Sequence, residues 1–313
     1  MSDHWERDVL EKLATEGLIE QRRARRWGIF FKILGFGYLF IGLLLFLPLM
    51  GDGRQVVGKH GDKHTALVEL KGVIAPDADA SADNIVSALR AAFEDKKTAG
   101  IILRINSPGG SPVQSGYIYN EILRLRKENP DIPLYAVISD ICASGGYYVA
   151  SAAEKIYADQ ASIVGSIGVR MDNFGFVEAM KKLGVERRTL TAGDNKALLD
   201  PFAPSNPQIN KHLQTLLNDI HGQFIAAVKK GRGDKLKEVD GMFSGLIWTG
   251  DQSVALGLVD ELASTSYVAR EVLHAEDIVD YTVHPDFFSR FSRQVGASMA
   301  NLLIEQGMTP QLQ

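Results

Sequence analysis

Residues 100–110 read GIILRINSPGG, and residues 133–146 read PLYAVISDICASGG. Each stretch is an apolar run that ends in a pair of glycines, which is typical of a buried strand that leads into a tight turn. Residues 81–96 and 111–129, which precede and follow the first stretch, have apolar residues at helical spacing. This alternation of strands and helices predicts an α/β fold, a mostly parallel layered sheet with flanking helices.

The same pattern continues on both sides of these stretches. Residues 65–74 are predicted to form a strand, residues 155–169 further strands, and the residues from Ser144 onward a short helix. Apolar residues three and four positions apart predict a long amphipathic helix over Pro207–Lys230, which begins at a proline. A second helix is expected around Gln252–Leu262.

An uncharged apolar segment precedes this body. Residues 33–50 are long enough to cross a bilayer as one helix, and residues 27–31 extend the segment if Lys32 snorkels. No A-x-A cleavage site follows, which favours an uncleaved transmembrane anchor over a signal peptide. Residues 22–32 contain several basic residues and no acidic one. The positive-inside rule therefore predicts that the N-terminus lies in the cytoplasm and the α/β body outside it.

Five segments are therefore expected along the chain. Residues 1–26 form a cytoplasmic N-terminal segment, residues 27–50 the transmembrane anchor, and residues 51–63 a polar linker. Residues 64–285 form the layered domain, and residues 286–313 a C-terminal helical tail with a one-sided apolar stripe. The tail is expected to pack on the core or on a neighbouring subunit.

Composition excludes several function classes. A net charge of -4 and a pI of about 6.0 give no basic field, so nucleic acid is not an expected partner. Cys142 is the only cysteine, which rules out an intrachain disulfide and a cysteine-rich zinc cluster. His60 and His64 lie in a glycine-containing segment where a helical metal face is not expected. We expect neither a metal nor another cofactor.

The two glycine turns are the candidate chemical site. Pro108-Gly109-Gly110 and Ser144-Gly145-Gly146 each follow a predicted strand, and such turns aim backbone N–H groups at a substrate without Cβ clashes. One turn could hold a nucleophile and the other an oxyanion. Turn chemistry alone leaves open whether Cys142, Ser144 or Ser151 is that nucleophile, or whether the turns serve packing only.

From about Thr65 to Leu262 the chain resembles the signal peptide peptidase A family, bacterial membrane-anchored serine peptidases with a Ser/Lys dyad. The motifs that carry the resemblance, in chain order, are INSPGGSP, DICASGGYYVASAAEKIYAD, SIVGSIGV, TAGDNKALLDPF and WTGDQSVALGLVDEL. The resemblance implies a crotonase-like fold related to that of the Clp protease, preceded by one transmembrane helix. The length is similar to that of the compact, single-unit members, and the SohB-type proteases are a related alternative.

The resemblance implies Ser144 as nucleophile, Lys196 as its base and Ser166 as the residue that orients the lysine. A serine hydroxyl needs such a base, and a lysine serves only when its amine is neutral. Burial among apolar groups would supply the neutral amine by lowering the lysine pKa. Asp194 would oppose that change if it lay close, so we expect its carboxylate to point away.

The resemblance also gives the glycine turns their roles. Gly110 is the first choice for the oxyanion donor and Gly109 the second, alongside the N–H of Ser144. Gly145 and Gly146 are expected to let the substrate backbone approach. Cys142 is expected to be a small buried side chain, because no cationic partner for a thiolate lies near it in sequence.

The function implied is that of a membrane-anchored serine endopeptidase that cleaves remnant signal peptides and other small hydrophobic peptides. It would be a single-pass protein of the bacterial inner membrane, with its catalytic domain in the periplasm. A ring or dome-shaped homo-oligomer is implied as well. A crotonase-type acyl-CoA enzyme and a non-catalytic membrane scaffold remain the alternatives.

Overall fold

The residues that a computed structural model describes are 22–23, 25–42, 56–57 and 63–284. The chain divides into two units, Met1–Gly53 with Asp286–Gln313, and Arg54–Pro285. The predicted tail, residues 286–313, and most of the predicted cytoplasmic segment lie outside the described residues.

In the first unit the structure describes one helix, α1, over residues 25–42, and residues 22–23 are helical as well. Most of its side chains are exposed, and the Trp27 ring lies 5.7 Å from that of Phe30 and 5.8 Å from that of Phe31. Within the described ranges, no helix combines the length and the apolar character needed to cross a membrane. The predicted anchor continues through residues 43–50, which lie outside those ranges.

The second unit is built on one sheet, in which nine strands are described. They are β1 (Val56–Val57), β2 (His64–Lys71), β3 (Thr98–Ser107), β4 (Leu134–Ala143), β5 (Lys155–Ala158), β6 (Ile163–Gly165), β7 (Ile247–Thr249), β8 (Glu261–Leu262) and β9 (Ile278–Asp280). The main order is β1-β9-β2-β3-β4-β5-β8, while β6 pairs with the end of β4 and with β7. All described pairs are parallel except β1–β9 and β6–β7.

Helices follow most of the central strands. They are α2 (Ala82–Glu94), α3 (Pro112–Glu128), α4 (Gly145–Ala150), α5 (Val177–Leu183), α6 (Pro207–Arg232), α7 (Gly250–Ala255) and α8 (Thr265–Tyr267), the last continuing as a π-helical turn over Val268–Val272. Side-chain caps explain where several begin, because a cap accepts a hydrogen bond from an otherwise unpaired N–H. The Ser81 hydroxyl caps α2 in this way, and the Asn206 side chain caps α6.

Both faces of the central strands are covered, which explains their continuous apolar runs. On β3, Ile101 and Leu103 pack in the larger core under α2, α3 and α6, together with Ile85 and Ile118. Ile102, between them in sequence, points to the opposite face and belongs to a smaller core with Val137, Tyr157 and Val268. The sheet is therefore a middle layer, and its strand ends are held rigidly from both sides.

The predicted alternation of strands and helices is confirmed, and so are the long helix from Pro207 and the short helix after Ser144. The second helix, expected over Gln252–Leu262, is wrong in its last part. Helix α7 ends at Ala255, because Gly257 turns the chain at φ 73° and Glu261–Leu262 join the sheet as β8. The predicted linker, residues 51–63, includes β1, which pairs with β9.

Candidate active site

Ser144 lies between the end of β4 and the start of α4. Its backbone has φ 51° and ψ -124°, a conformation that side-chain-bearing residues rarely adopt. Two hydrogen bonds hold it there: the Ser144 N–H donates to the Gly165 carbonyl at 2.8 Å, and the Ser144 carbonyl accepts from the Tyr148 N–H at 3.0 Å. The half-buried side chain caps no helical N–H, which leaves its hydroxyl available for chemistry.

The Pro108-Gly109-Gly110 turn lies directly against Ser144. Gly109 has φ 99°, and a Cβ added to it would stand 2.7 Å from the Ser144 Cβ and 2.6 Å from the Gly145 nitrogen. The Gly109 carbonyl accepts a hydrogen bond of 2.9 Å from the Ile74 N–H. Glycine at position 109 is therefore a steric requirement for bringing the two turns together.

Two backbone N–H groups in these turns are available to bind an oxyanion. The Gly110 and Gly145 N–H groups donate no hydrogen bond to any described residue, and a Cβ on Gly145 would lie 3.2 Å from the Gly110 nitrogen. The other expected donors are occupied, since the Ser144 N–H binds the Gly165 carbonyl and the Gly109 N–H binds the Ser107 hydroxyl at 3.1 Å. In this structure the Gly145 N–H, and not the Ser144 N–H, is therefore without an acceptor among the described residues.

Gly146, the other glycine expected to admit substrate, lies elsewhere. It is buried, and a Cβ added to it would stand 3.1 Å from the Ser107 carbonyl oxygen, so it packs α4 against the end of β3. Because Gly146 has no side chain, α4 can pack closely against the end of β3.

Ser166 follows β6 and faces the same space as Ser144. It too has a positive φ, 51°, and its N–H donates to the Leu246 carbonyl at 2.7 Å. The preceding residue, Gly165, is the one whose carbonyl holds the Ser144 N–H. One strand end therefore fixes both serines.

These residues surround a cavity of about 750 Å³. Its lining includes five expected site residues, namely Ser144, Ser166, Gly109, Gly110 and Gly145. The apolar and aromatic part of the lining, the apolar wall, consists of Val73, Pro112, Tyr148, Val169, Ile220 and Phe224. A cavity of this size with a few converging polar groups is typical of a binding site for a small molecule or peptide segment.

Lys196 does not line this cavity. It lies in an exposed turn, where its N–H donates to the Gly193 carbonyl at 3.1 Å, and its ammonium has no hydrogen bond or ion pair with any described residue. The titratable side chains that do line the cavity are Tyr148 and Arg170. Burial raises the pKa of Tyr148, and a guanidinium has N–H donors but no acceptor, so neither serves as a base for Ser144.

The rival nucleophiles are not at the cavity. Cys142 is completely buried, and burial raises the pKa of its thiol, which disfavours the reactive thiolate. Ser151 is also buried, and its hydroxyl donates to the Tyr148 carbonyl at 2.7 Å. Of the histidine pair, His60 lies outside the described residues and His64 contacts the Tyr281 hydroxyl at 3.1 Å.

Comparison with known proteins is consistent with this geometry. The model of peptidase family S49 matches residues 126–278, which include both Ser144 and Lys196. A Synechocystis protein provisionally named a protease is 34% identical over 202 residues, 64% of this chain and 70% of that protein. An Enterococcus faecium protein provisionally named signal peptide peptidase SppA is 30% identical over 230 residues, 71% of this chain and 66% of that protein.

Another relative has a different name. A Brucella melitensis protein named Na(+)/H(+) antiporter NhaA is 48% identical over 174 residues, which are 56% of this chain but only 24% of that protein. The chain thus spans about a quarter of that relative's length, and the antiporter name describes the relative. By its family match and its protease relatives, the chain belongs to peptidase family S49.

Proposed function

We propose that this chain is a membrane-anchored serine endopeptidase that cleaves remnant signal peptides and other small hydrophobic peptides with Ser144 as nucleophile and Lys196 as base. The observation that carries the proposal is the position of the Ser144 hydroxyl in the wall of a cavity, beside the Gly110 and Gly145 N–H groups, which donate to no described residue. A crotonase- or Clp-like arrangement of the sheet is part of the same proposal.

The proposed reaction has two steps. In acylation, the neutral Lys196 amine takes the Ser144 proton, and Oγ attacks the peptide carbonyl carbon while Gly110 and Gly145 N–H groups bind the oxyanion. The C–N bond then breaks, and the leaving amine receives the proton from Lys196. In deacylation, Lys196 takes a proton from water, and the water oxygen attacks the ester carbonyl carbon. The C–O bond to Ser144 then breaks, and Lys196 returns the proton to Ser144 Oγ. Ser166 holds the Lys196 amine in line without adding a charge.

Lys196 must approach the cavity for this reaction. The stretch around it exposes many large apolar side chains, among them Phe174, Leu183, Val185 and Leu190, the last of which is 100% exposed. Such an apolar surface is typical of a segment that packs against another surface. We propose that the segment around Lys196 packs against a neighbouring chain in a homo-oligomer. This packing would bury Lys196 and place it beside Ser144 and Ser166.

Mixing two inactive variants tests whether the lysine comes from a neighbouring chain. If it does, a Ser144→Ala chain can supply Lys196 to the intact Ser144 of a Lys196→Ala chain. Co-assembly should then restore hydrolysis that neither variant has alone. If the lysine comes from the same chain, the mixture stays inactive and the oligomer serves only to bury Lys196.

The proposed anchor is the uncharged stretch within residues 27–50, with the basic cluster of residues 22–32 on the cytoplasmic side. This places the protein in the bacterial inner membrane as a single-pass protein with a periplasmic catalytic domain. Peptides released at the membrane would reach the cavity without passing through the cytoplasm. The apolar wall of Val73, Ile220 and Phe224 fits the hydrophobic side chains of such peptides.

Product mapping by mass spectrometry, with a library of signal peptides and the purified full chain, tests the proposal. The wild-type chain should cut within the hydrophobic region, whereas Ser144→Ala and Lys196→Ala should each lose cleavage. Ser151→Ala is the matched control, since Ser151 follows the end of α4 and does not line the cavity, and this variant should keep cutting. Full cleavage by either dyad variant would overturn the dyad. Inertness of the wild type, together with coenzyme A binding, would favour an acyl-CoA enzyme instead.

A further inference from the structure

His221 connects helix α6 to the loop that carries Ser166. Its Nε2 lies 3.1 Å from the carbonyl oxygen of Ile167, the residue that follows Ser166. A carbonyl oxygen only accepts hydrogen bonds, so His221 Nε2 carries a proton and donates it. The contact spans 54 positions in the sequence and so ties two distant parts of the fold together.

The loop at Ser166 is held on both sides of this residue. On the N-terminal side, the Ser166 N–H binds the Leu246 carbonyl at 2.7 Å. On the C-terminal side, the Ile167 side chain is completely buried in the core. The His221 bond fixes a further group, the Ile167 carbonyl. Since Ser166 has φ 51°, a strained conformation, it keeps its direction only while its surroundings determine it in this way.

Helix α6 contributes to the cavity on the same face. Ile220 and Phe224 line the cavity, and the Phe224 ring lies 5.1 Å from that of Tyr148, the residue whose N–H binds the Ser144 carbonyl. The helix therefore forms the apolar wall through two residues and holds the Ser166 loop through His221, between them in sequence. A shift of α6 would therefore displace both the apolar wall and the Ser166 loop.

His221 is not itself a candidate base. Its Nε2 donates to a carbonyl oxygen, and the ring with its other nitrogen is not among the side chains that line the cavity. We propose that His221 is a positioning residue: by holding the Ile167 carbonyl, it keeps the Ser166 hydroxyl aimed at the Lys196 amine. This inference rests on the proposed function, in which Ser166 orients that amine.

Two substitutions separate the hydrogen bond from the bulk of the ring. His221→Phe keeps a ring but removes the donor, whereas His221→Gln keeps an N–H donor at a similar reach. We expect His221→Phe to lower kcat by about tenfold to hundredfold, because misplacing a catalytic group by about 1 Å costs up to about 100-fold, with little change in KM. His221→Gln should stay within about threefold of wild type. His212→Phe, an exposed position on the same helix, is the matched control and should behave as wild type.

A double-mutant cycle decides whether His221 acts through Ser166. If it does, His221→Phe should lower kcat by less than about twofold in a Ser166→Ala background, because the group it positions is already gone. His221→Leu replaces His221→Phe if the phenylalanine variant does not fold. The inference is overturned if the donor-free variant keeps wild-type kcat, if His221→Gln falls as far as the donor-free variant, or if the losses from His221 and Ser166 simply multiply. A wild-type chain that cleaves no peptide would instead overturn the proposed function.

Discussion

Gly109 and Ser144 approach each other so closely that a methyl group on Gly109 would stand 2.7 Å from the Ser144 Cβ. This contact brings the turn after β3 against the turn after β4, and the Gly110 N–H, which donates to no described residue, lies next to the turn that carries Ser144. The expected geometry of the site thus depends on a position that has no side chain.

The first prediction concerns this contact. Gly109→Ala should reduce kcat/KM by at least about 100-fold, since the two turns must separate and carry the oxyanion donor away from Ser144. The φ of 99° adds backbone strain to the clash. Steady-state hydrolysis of a peptide substrate measures the effect. Gly116→Ala is the control, because a Cβ at Gly116 meets no atom within 4 Å and the residue is helical. Equal activity of both variants would contradict the steric argument.

Strain at Ser144 gives the second prediction. At φ 51° and ψ -124°, glycine is tolerated better than alanine, so Ser144→Gly should be more stable than Ser144→Ala by about 1 kcal/mol, although both lack activity. Urea unfolding of the two variants measures the difference.

Ser151 serves as an internal control, because the difference in stability between its glycine and alanine replacements should have the opposite sign. It has φ -65° and ψ -12°, an ordinary helical conformation, so there alanine should be the more stable replacement. If alanine is the more stable replacement at both positions, Ser144 is not strained and this part of the account is wrong.

The third prediction distinguishes the serine from the cysteine. Because Cys142 is fully buried and burial raises its pKa, iodoacetamide should leave the folded protein unmodified and active at pH 8. The same thiol should react at once in urea, which serves as the control. Cys142→Ala should keep its peptidase activity. Rapid alkylation of the folded chain with loss of activity would reassign the nucleophile to Cys142.

The fold and the candidate site differ in how much of each could be predicted from the sequence. The apolar runs of β3 and β4 and the spacing in α6 specify local structure, which is why these elements are confirmed. Strands β7 and β9 are only three residues long, and they join the sheet through partners far along the chain. No local sequence pattern therefore predicts them. Their pairing is decided by the tertiary fold.

The site shows the same division. That Ser144, Ser166 and Gly110 line one cavity could be expected from the sequence, because they lie in motifs at strand ends. The open Gly145 N–H could not be expected, since it depends on the Ser144 N–H binding the Gly165 carbonyl. His221 was missed as well, because a histidine within an amphipathic helix carries no sequence signal of its partner. The position of Lys196 relative to Ser144 is a question of tertiary or quaternary contact, which stays a prediction.

The fourth prediction concerns pH and the ion pair behind the site. The Arg232 side chain is 1% exposed, and its Nη1 donates to Asp260 at 2.8 Å, while Lys235 binds the other carboxylate oxygen at 2.7 Å. Burial raises the pKa of Asp260, but the hydrogen bonds from Arg232 and Lys235 outweigh it, and the net pKa lies below the ordinary 3.8. Because the folded pKa is lowered, the stabilisation is present above pH 3.8 and is lost as the pH falls through the folded value.

Asp260→Asn should therefore lower the free energy of unfolding by about 3 kcal/mol at pH 7, since it leaves a buried arginine uncompensated. The difference from wild type should shrink towards pH 3. Urea titrations at the two pH values measure it, and Glu238→Gln, which breaks an exposed pair with Lys229, should change stability by less than about 1 kcal/mol. A difference that is small at pH 7, or that does not change with pH, would contradict the assignment.

The most direct test of the central claim is the rate and position of labelling by a serine-directed phosphonate, followed by mass spectrometry of the full chain. If Ser144 is the nucleophile, the wild-type protein should carry one adduct, on Ser144. Lys196→Ala should slow its formation by at least about 1000-fold, because the hydroxyl then has no base. An adduct on another residue, or labelling of Ser144 at the wild-type rate without Lys196, would contradict the proposed Ser144–Lys196 dyad.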